Sequence, residues 1–153
     1  MRSIRTLAVA AAAIVAGAGA LSGGLLHAAE YRPGETFQHN HFITANQCDL
    51  EIYKVTKHWS SSGGVIERAE NWSGKGDDWK MTDYAANRPI GHFTYNTSYK
   101  LRKGRQVAAR IAFQTKLGRV GQVTTTVIFY YRGACVGPGG KAQTSSTETS
   151  IVR

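Results

Sequence analysis

The chain is poor in the residues that mark most recognisable chemistries. Of 153 residues only two are cysteine and three proline, and acidic side chains number 10 against 19 basic ones. The two cysteines, Cys48 and Cys135, have no C-x-x-C spacing and no companions, so they do not make a thiolate metal centre. No serine sits in a G-x-S-x-G elbow, and the run Gly137 to Lys141 is not a phosphate loop. Cys135 stands where its first glycine belongs, and Ala142 follows the lysine where Ser or Thr is needed. The letters His39-Asn40-His41 lack the spaced histidines of a nuclease frame. There is no 20 to 50 residue repeat, no coiled-coil heptad and no cofactor motif. These absences leave the activity unnamed and direct attention to architecture.

One long apolar stretch exists, at the N-terminus. Arg2 and Arg5 precede the uncharged run Leu7 to Ala16, and Ala18-Gly19-Ala20 has the small-x-small form of a cleavage site, with a second near Ala28 or Ala29. Residues 1–29 therefore read as a signal peptide. The alternative is an uncleaved anchor, which its glycine content and modest apolarity disfavour, because a spanning helix wants about 20 strongly apolar residues. Residues 30–153 form a single domain with no membrane span, placed in a secreted or extracytoplasmic compartment. Without the leader the charge falls from +9 to +7, since only Arg2 and Arg5 are lost. A basic exported protein is drawn toward anionic partners. In an oxidising compartment Cys48 and Cys135 are expected to pair, closing a loop of about 87 residues. On the chain-entropy model that bond contributes roughly 4 to 5 kcal/mol.

What the domain has in abundance is period-two patterning. Val107, Ala109, Ile111 and Phe113 share one parity, and so do Val123, Val127, Phe129 and Tyr131; joined by a basic, Gly-bearing connection, the two runs read as a β-hairpin. Phe37, His39, His41 and Ile43 suggest a short first strand. In DLEIYKVTKHW, Leu50 and Ile52 have one parity while Val55 and Trp59 have the other, which a bulge near Ile52 and Tyr53 would reconcile. Residues 65–72 fit strand or helix, with strand preferred because all that follows has period two. Phe93, Tyr95, Tyr99 and Leu101 mark another strand. Residues 141–153 read either as a solvated edge strand or as a frayed tail. Together these runs predict an all-β, immunoglobulin-like antiparallel β-sandwich with one disulfide, with a small closed β-barrel as the alternative.

Function, if legible, lies in surface features. Trp59, Trp72 and Trp79, with Tyr84, fall in or beside polar connections, where indole faces can stack on sugars or enter a partner's pocket. Lys100, Arg102, Lys103 and Arg105 cluster at one strand connection, and Lys116 with Arg119 at the tip of the predicted hairpin, as phosphate or polyanion contacts. His39 and His41, spaced i, i+2, are weak metal candidates, with His58 or His92 to complete the shell. Asp77, Asp78 and Asp83 with Glu67 and Glu70 form an acidic region that matches no calcium loop. The expectation is a secreted, non-enzymatic binding protein for an anionic polymer, glycan or protein partner at the cell envelope. The alternative is a small secreted hydrolase using a histidine or carboxylate as acid and base.

Overall fold

The computed structural model describes residues 28–137 and 140–153. The expected leader and its earlier cleavage site thus lie outside the described residues, whereas Ala29 at the second site already pairs with Ser150. Nine strands follow in order: β1 (Ala29–Tyr31), β2 (Thr36–Thr44), β3 (Leu50–Ser61), β4 (Ile66–Lys75), β5 (Asp78–Ala86), β6 (Ile90–Leu101), β7 (Gln106–Thr115), β8 (Gly121–Gly133) and β9 (Ala142–Val152). They make two sheets, β1-β9-β8-β3-β6 and β2-β7-β4-β5, stacked as a sandwich and not closed into a barrel. All neighbours are antiparallel except β1 and β9. No helix among the described residues is long and apolar enough to cross a membrane.

The expected parities hold, and so does the bulge. The register of β3 shifts between Ile52 and Lys54 against both its neighbours, which turns Ile52, Val55 and Trp59 to the same buried side. Residues 66–75 are strand, and residues 142–152 are a full strand, flanked on its outer side only by the three residues of β1. The predicted hairpin is corrected: β7 belongs to the second sheet and β8 to the first. The link through residues 116–120 crosses between layers, with the Lys116 amide donating to the Val65 carbonyl at 2.9 Å. Val107 to Phe113 and Val123 to Tyr131 therefore face each other across the core instead of pairing edge to edge. Parity shows which face is apolar, and a face can be buried by a neighbouring layer as well as by a bend.

The disulfide is present, with Cα atoms 6.0 Å apart. It ties the segment entering β3 to the turn leaving β8, two adjacent strands whose ends meet at Leu50 and Gly133. Cys135 is exposed there, so the bond clamps a rim and does not cap the buried face.

Two apolar clusters fill the interior. One gathers Phe37, Trp59, Phe93, Ile111, Phe113 and Val123 with their neighbours; the other centres on Ile43, Ile52, Val55, Leu101, Val127 and Phe129. Trp59 requires a glycine opposite, since a Cβ on Gly91 would lie 2.3 Å from its ring. Between the clusters runs a polar seam, where each inward-facing series is interrupted: His39 and His41 on β2, Lys57 on β3, Asn71 on β4 and Thr125 on β8, all buried.

Candidate functional site

The seam has two halves. On the side where β2 overlies β9, the Thr125 hydroxyl lies 2.7 Å from His39 Nδ1 and 2.8 Å from His41 Nε2. Ser150 Oγ is 2.6 Å from His39 Nε2, and Ser146 Oγ is 2.7 Å from His41 Nδ1. Thr125 has one proton to donate and two lone pairs to offer, so the chain Ser150–His39–Thr125–His41–Ser146 can be satisfied with its donors running in either direction. Either direction saturates both neutral rings. Burial disfavours adding a proton to either imidazole. Burial, then the neighbouring His41, push His39 down to about 3. Burial and the positive charge of Lys57 push His41 down to about 4, against a smaller opposing contribution from Ser146.

Glu148 belongs to the same edge and has no counterpart in the sequence reading. It projects inward from β9 between Ser146 and Ser150. One of its carboxylate oxygens and one nitrogen of each imidazole lie within 4.8 Å of one another. Burial raises its carboxyl to about 7. Tyr31 is nearby, its phenol raised first by burial and then by the charges of Glu148 and Glu35.

The other half is organised by Lys57, whose side chain is wholly buried. Its ammonium donates to Asn71 Oδ1 at 2.5 Å, the Arg110 carbonyl at 2.6 Å and the Trp72 carbonyl at 3.1 Å. Three donors meet three acceptors, which favours the charged form, whereas burial and the Arg110 charge push the amine down to about 7. The position explains the acceptors. β4 pairs with β7 from Ile66 to Trp72 and stops at Arg110; beyond it β4 pairs only with β5, and β7 only with β2. Lys57 sits where the two strands part.

That parting opens a cleft of about 370 Å³ between the β4–β5 arm and the first sheet. Its walls are mostly apolar: Ile52, Val55, Tyr95, Tyr99, Val107 and Phe129, with Ser73, Lys75 and Asp78 on the arm. Tyr95, its phenol raised by burial to about 12, places its ring 5.5 Å from Lys57 Nζ. The ammonium thus stands behind the inner wall of the cleft.

The sequence-expected residues separate. Trp59 is a core residue, 3% exposed, packed on Phe93 and donating its indole N–H to the Arg88 carbonyl at 3.3 Å; it is withdrawn from the candidate surface. Trp72, Trp79 and Tyr84 do come together, on the outer face of the second sheet. There the Arg110 guanidinium lies 3.8 Å over the Trp79 ring and Arg68 lies 3.9 Å over Tyr84. The Trp72 indole donates to Glu70 at 3.0 Å. Lys100, Arg102, Lys103 and Arg105 are exposed at the corner joining β6 to β7, near the disulfide. Asp49 and Glu51 share that corner: Asp49 accepts from the Lys103 amide and Glu51 pairs with Arg132 at 3.0 Å. Lys116 and Arg119 occupy the opposite end of the molecule. His58 and His92 cannot complete a shell with His39 and His41, because they form an exposed cross-strand pair on the outer face of the first sheet, rings 5.9 Å apart.

Fold and site together define an antiparallel β-sandwich whose interior carries a polar seam and a lateral cleft. No family model and no curated protein matches the chain. A solved structure of AvmM, which catalyses macrocyclization in alchivemycin A biosynthesis, is similar in fold, with a TM-score of 0.52 and 12% identity over 83% of this chain and 85% of that one. At that identity the likeness extends to the fold.

Proposed function

We propose that the protein is an exported binding protein that holds a small, largely apolar organic ligand in the cleft between the β4–β5 arm and the first sheet. The observation that carries this is the departure of β4 from β7 at Trp72 and Arg110. It leaves aromatic and aliphatic side chains lining a concavity of ligand size, where an uninterrupted sheet would have filled the space. Asp78 balances Lys75 on the arm, so a preference for a ligand with an anionic group rests on the basic charge of the chain as a whole. Export is supported by the leader-like N-terminus and by the disulfide. The likeness to AvmM supports a small-molecule role at the level of architecture only.

Binding is preferred over hydrolysis because the histidines are poorly placed for acid–base work in the cleft. His39 and His41 have all four ring nitrogens engaged by hydroxyls on the far edge, and His58 and His92 face outward.

The test is a ligand-observed NMR screen of aromatic and amphiphilic carboxylates against the folded protein and the variants Val107→Trp and Trp79→Ala. Val107→Trp fills the cleft and is expected to abolish binding while Trp79→Ala retains it. The reverse pattern would transfer the site to the outer face of the second sheet. That second reading, a glycan or polyanion surface made by Trp72, Trp79 and Tyr84, is favoured by the cation-stacked rings, which hold their planes fixed.

A further inference from the structure

We propose that His39, His41 and Glu148 form a site for one divalent transition-metal ion at the β2–β9 edge, separate from the cleft. Two imidazoles and a carboxylate suit zinc and its neighbours in the first transition row, and three protein donors leave a position for solvent. The three donor atoms already lie within 4.8 Å of one another. A tetrahedral shell with metal–ligand bonds of about 2.0–2.1 Å sets its donors about 3.4 Å apart, so chelation draws the side chains inward by roughly 1 Å or more.

Two further observations support the assignment. Each imidazole that gives one nitrogen to the ion keeps the other on a hydroxyl of Thr125, Ser146 or Ser150, the outer-shell arrangement that fixes a ligating ring. Glu148 is only partly exposed, and no hydrogen bond or ion pair engages its carboxylate among the described residues; the buried Tyr31 hydroxyl near it is likewise without a partner. Lys57, whose charge acts on His41, opposes a cation, and burial favours the neutral acid of Glu148, so binding has to ionise it. Access is through the edge itself: β1 covers β9 only at Ser150 to Val152, and Ser146 is exposed.

The outward pair His58 and His92 is a competing chelator and must be removed first. Co²⁺ titrated into the metal-free His58→Ala/His92→Ala protein should give a visible absorption band of a low-coordinate ion, saturating at one equivalent. Zn²⁺ should displace it and raise the melting temperature. Glu148→Gln in the same background keeps the hydroxyl–imidazole chain and the fold, and should weaken Co²⁺ binding at least tenfold; His41→Gln should do the same. Absence of the band and of the thermal shift overturns the site. So does binding unchanged in Glu148→Gln, whether or not the histidine variant folds. Binding seen only when His58 and His92 are present assigns the ion to the surface pair and equally overturns it.

Discussion

The two edges of the sandwich interior solve the same problem with opposite chemistry. At the β2–β9 edge, two bases are buried uncharged and every ring nitrogen meets a hydroxyl that can donate or accept. Midway toward the β6 edge a cation is buried against three acceptors, two of them main-chain carbonyls released by the divergence of β4 from β7. The first arrangement tolerates either proton direction and closes the layers together. The second has only one polarity and marks the place where the layers open. Hydroxyls make a reversible network; carbonyls make a fixed socket for positive charge.

The largest expected break comes from Lys57→Ala, which strands three buried acceptors and leaves a cavity. A loss of about 3 to 5 kcal/mol in urea unfolding is expected, with Lys57→Met recovering part of it through packing. A loss no greater than that of an exposed lysine would mean that the socket is dispensable.

Thr125→Val keeps the shape but removes the shared hydroxyl, leaving two ring nitrogens unpaired. The expected loss is about 2 kcal/mol, measured the same way. Thr125 and Lys57 both act on His41, one by hydrogen bond and one by charge, so the double variant should depart from additivity; strict additivity would separate the two halves of the seam.

Acid sharpens the contrast further. Both histidines titrate lower in the fold than in the unfolded chain, near 3 and 4 against an ordinary 6.5. Between about pH 4 and 6.5 the unfolded chain therefore binds more protons, and stability falls as the pH drops through that window. Glu148 acts in the other direction: raised from 4.5 to about 7, it stabilises the fold at low pH and loses that contribution as the pH rises through 4.5 to 7. Two groups outweigh one, so the net slope follows the histidines, and Glu148→Gln should steepen it. A shallower slope in that variant would reject the opposing role. Lys57 supplies a separate window, from about pH 7 to 10.5, in which stability rises with pH because the folded lysine has already released the proton that the unfolded one still holds.

The smallest effect is expected at the corner carrying Arg102 and Lys103. Replacing either by Ala should alter stability by no more than about 0.5 kcal/mol, because both are exposed. Binding of a polyanion, if it uses this corner, should weaken with salt and with each replacement.

Much of the seam was visible as a pattern that sequence reasoning passed over. Val55-x-Lys57-x-Trp59 and Val123-x-Thr125-x-Val127 are inward parities interrupted once by a polar residue, and Phe37-x-His39-x-His41-x-Ile43 is interrupted twice. A lysine at an inward position between Val55 and Trp59 is the signal that could have revealed the socket. Its acceptors could not be read this way, since two are backbone carbonyls that any residue provides. Glu148, in a run of Ser and Thr, carried no parity signal. Trp59 could not be told from Trp72 and Trp79 because all three stand beside polar connections, and only layer stacking decides which indole is covered.

Most of the strands, the bulge in β3, the pairing of the two cysteines and the all-β class were legible in the sequence, because local alternation and turn chemistry act over a few residues, whereas β1 and the choice of strand for residues 65–72 and 141–153 came from the fold. Tertiary structure alone decided that β7 and β8 lie in opposite sheets, that β4 leaves β7 at Trp72, and that His39, His41 and Glu148 meet. Each of these depends on which strand edges pair and which faces stack between segments distant in sequence. An alternating pattern is equally satisfied by several such arrangements, and the choice falls to packing between the layers.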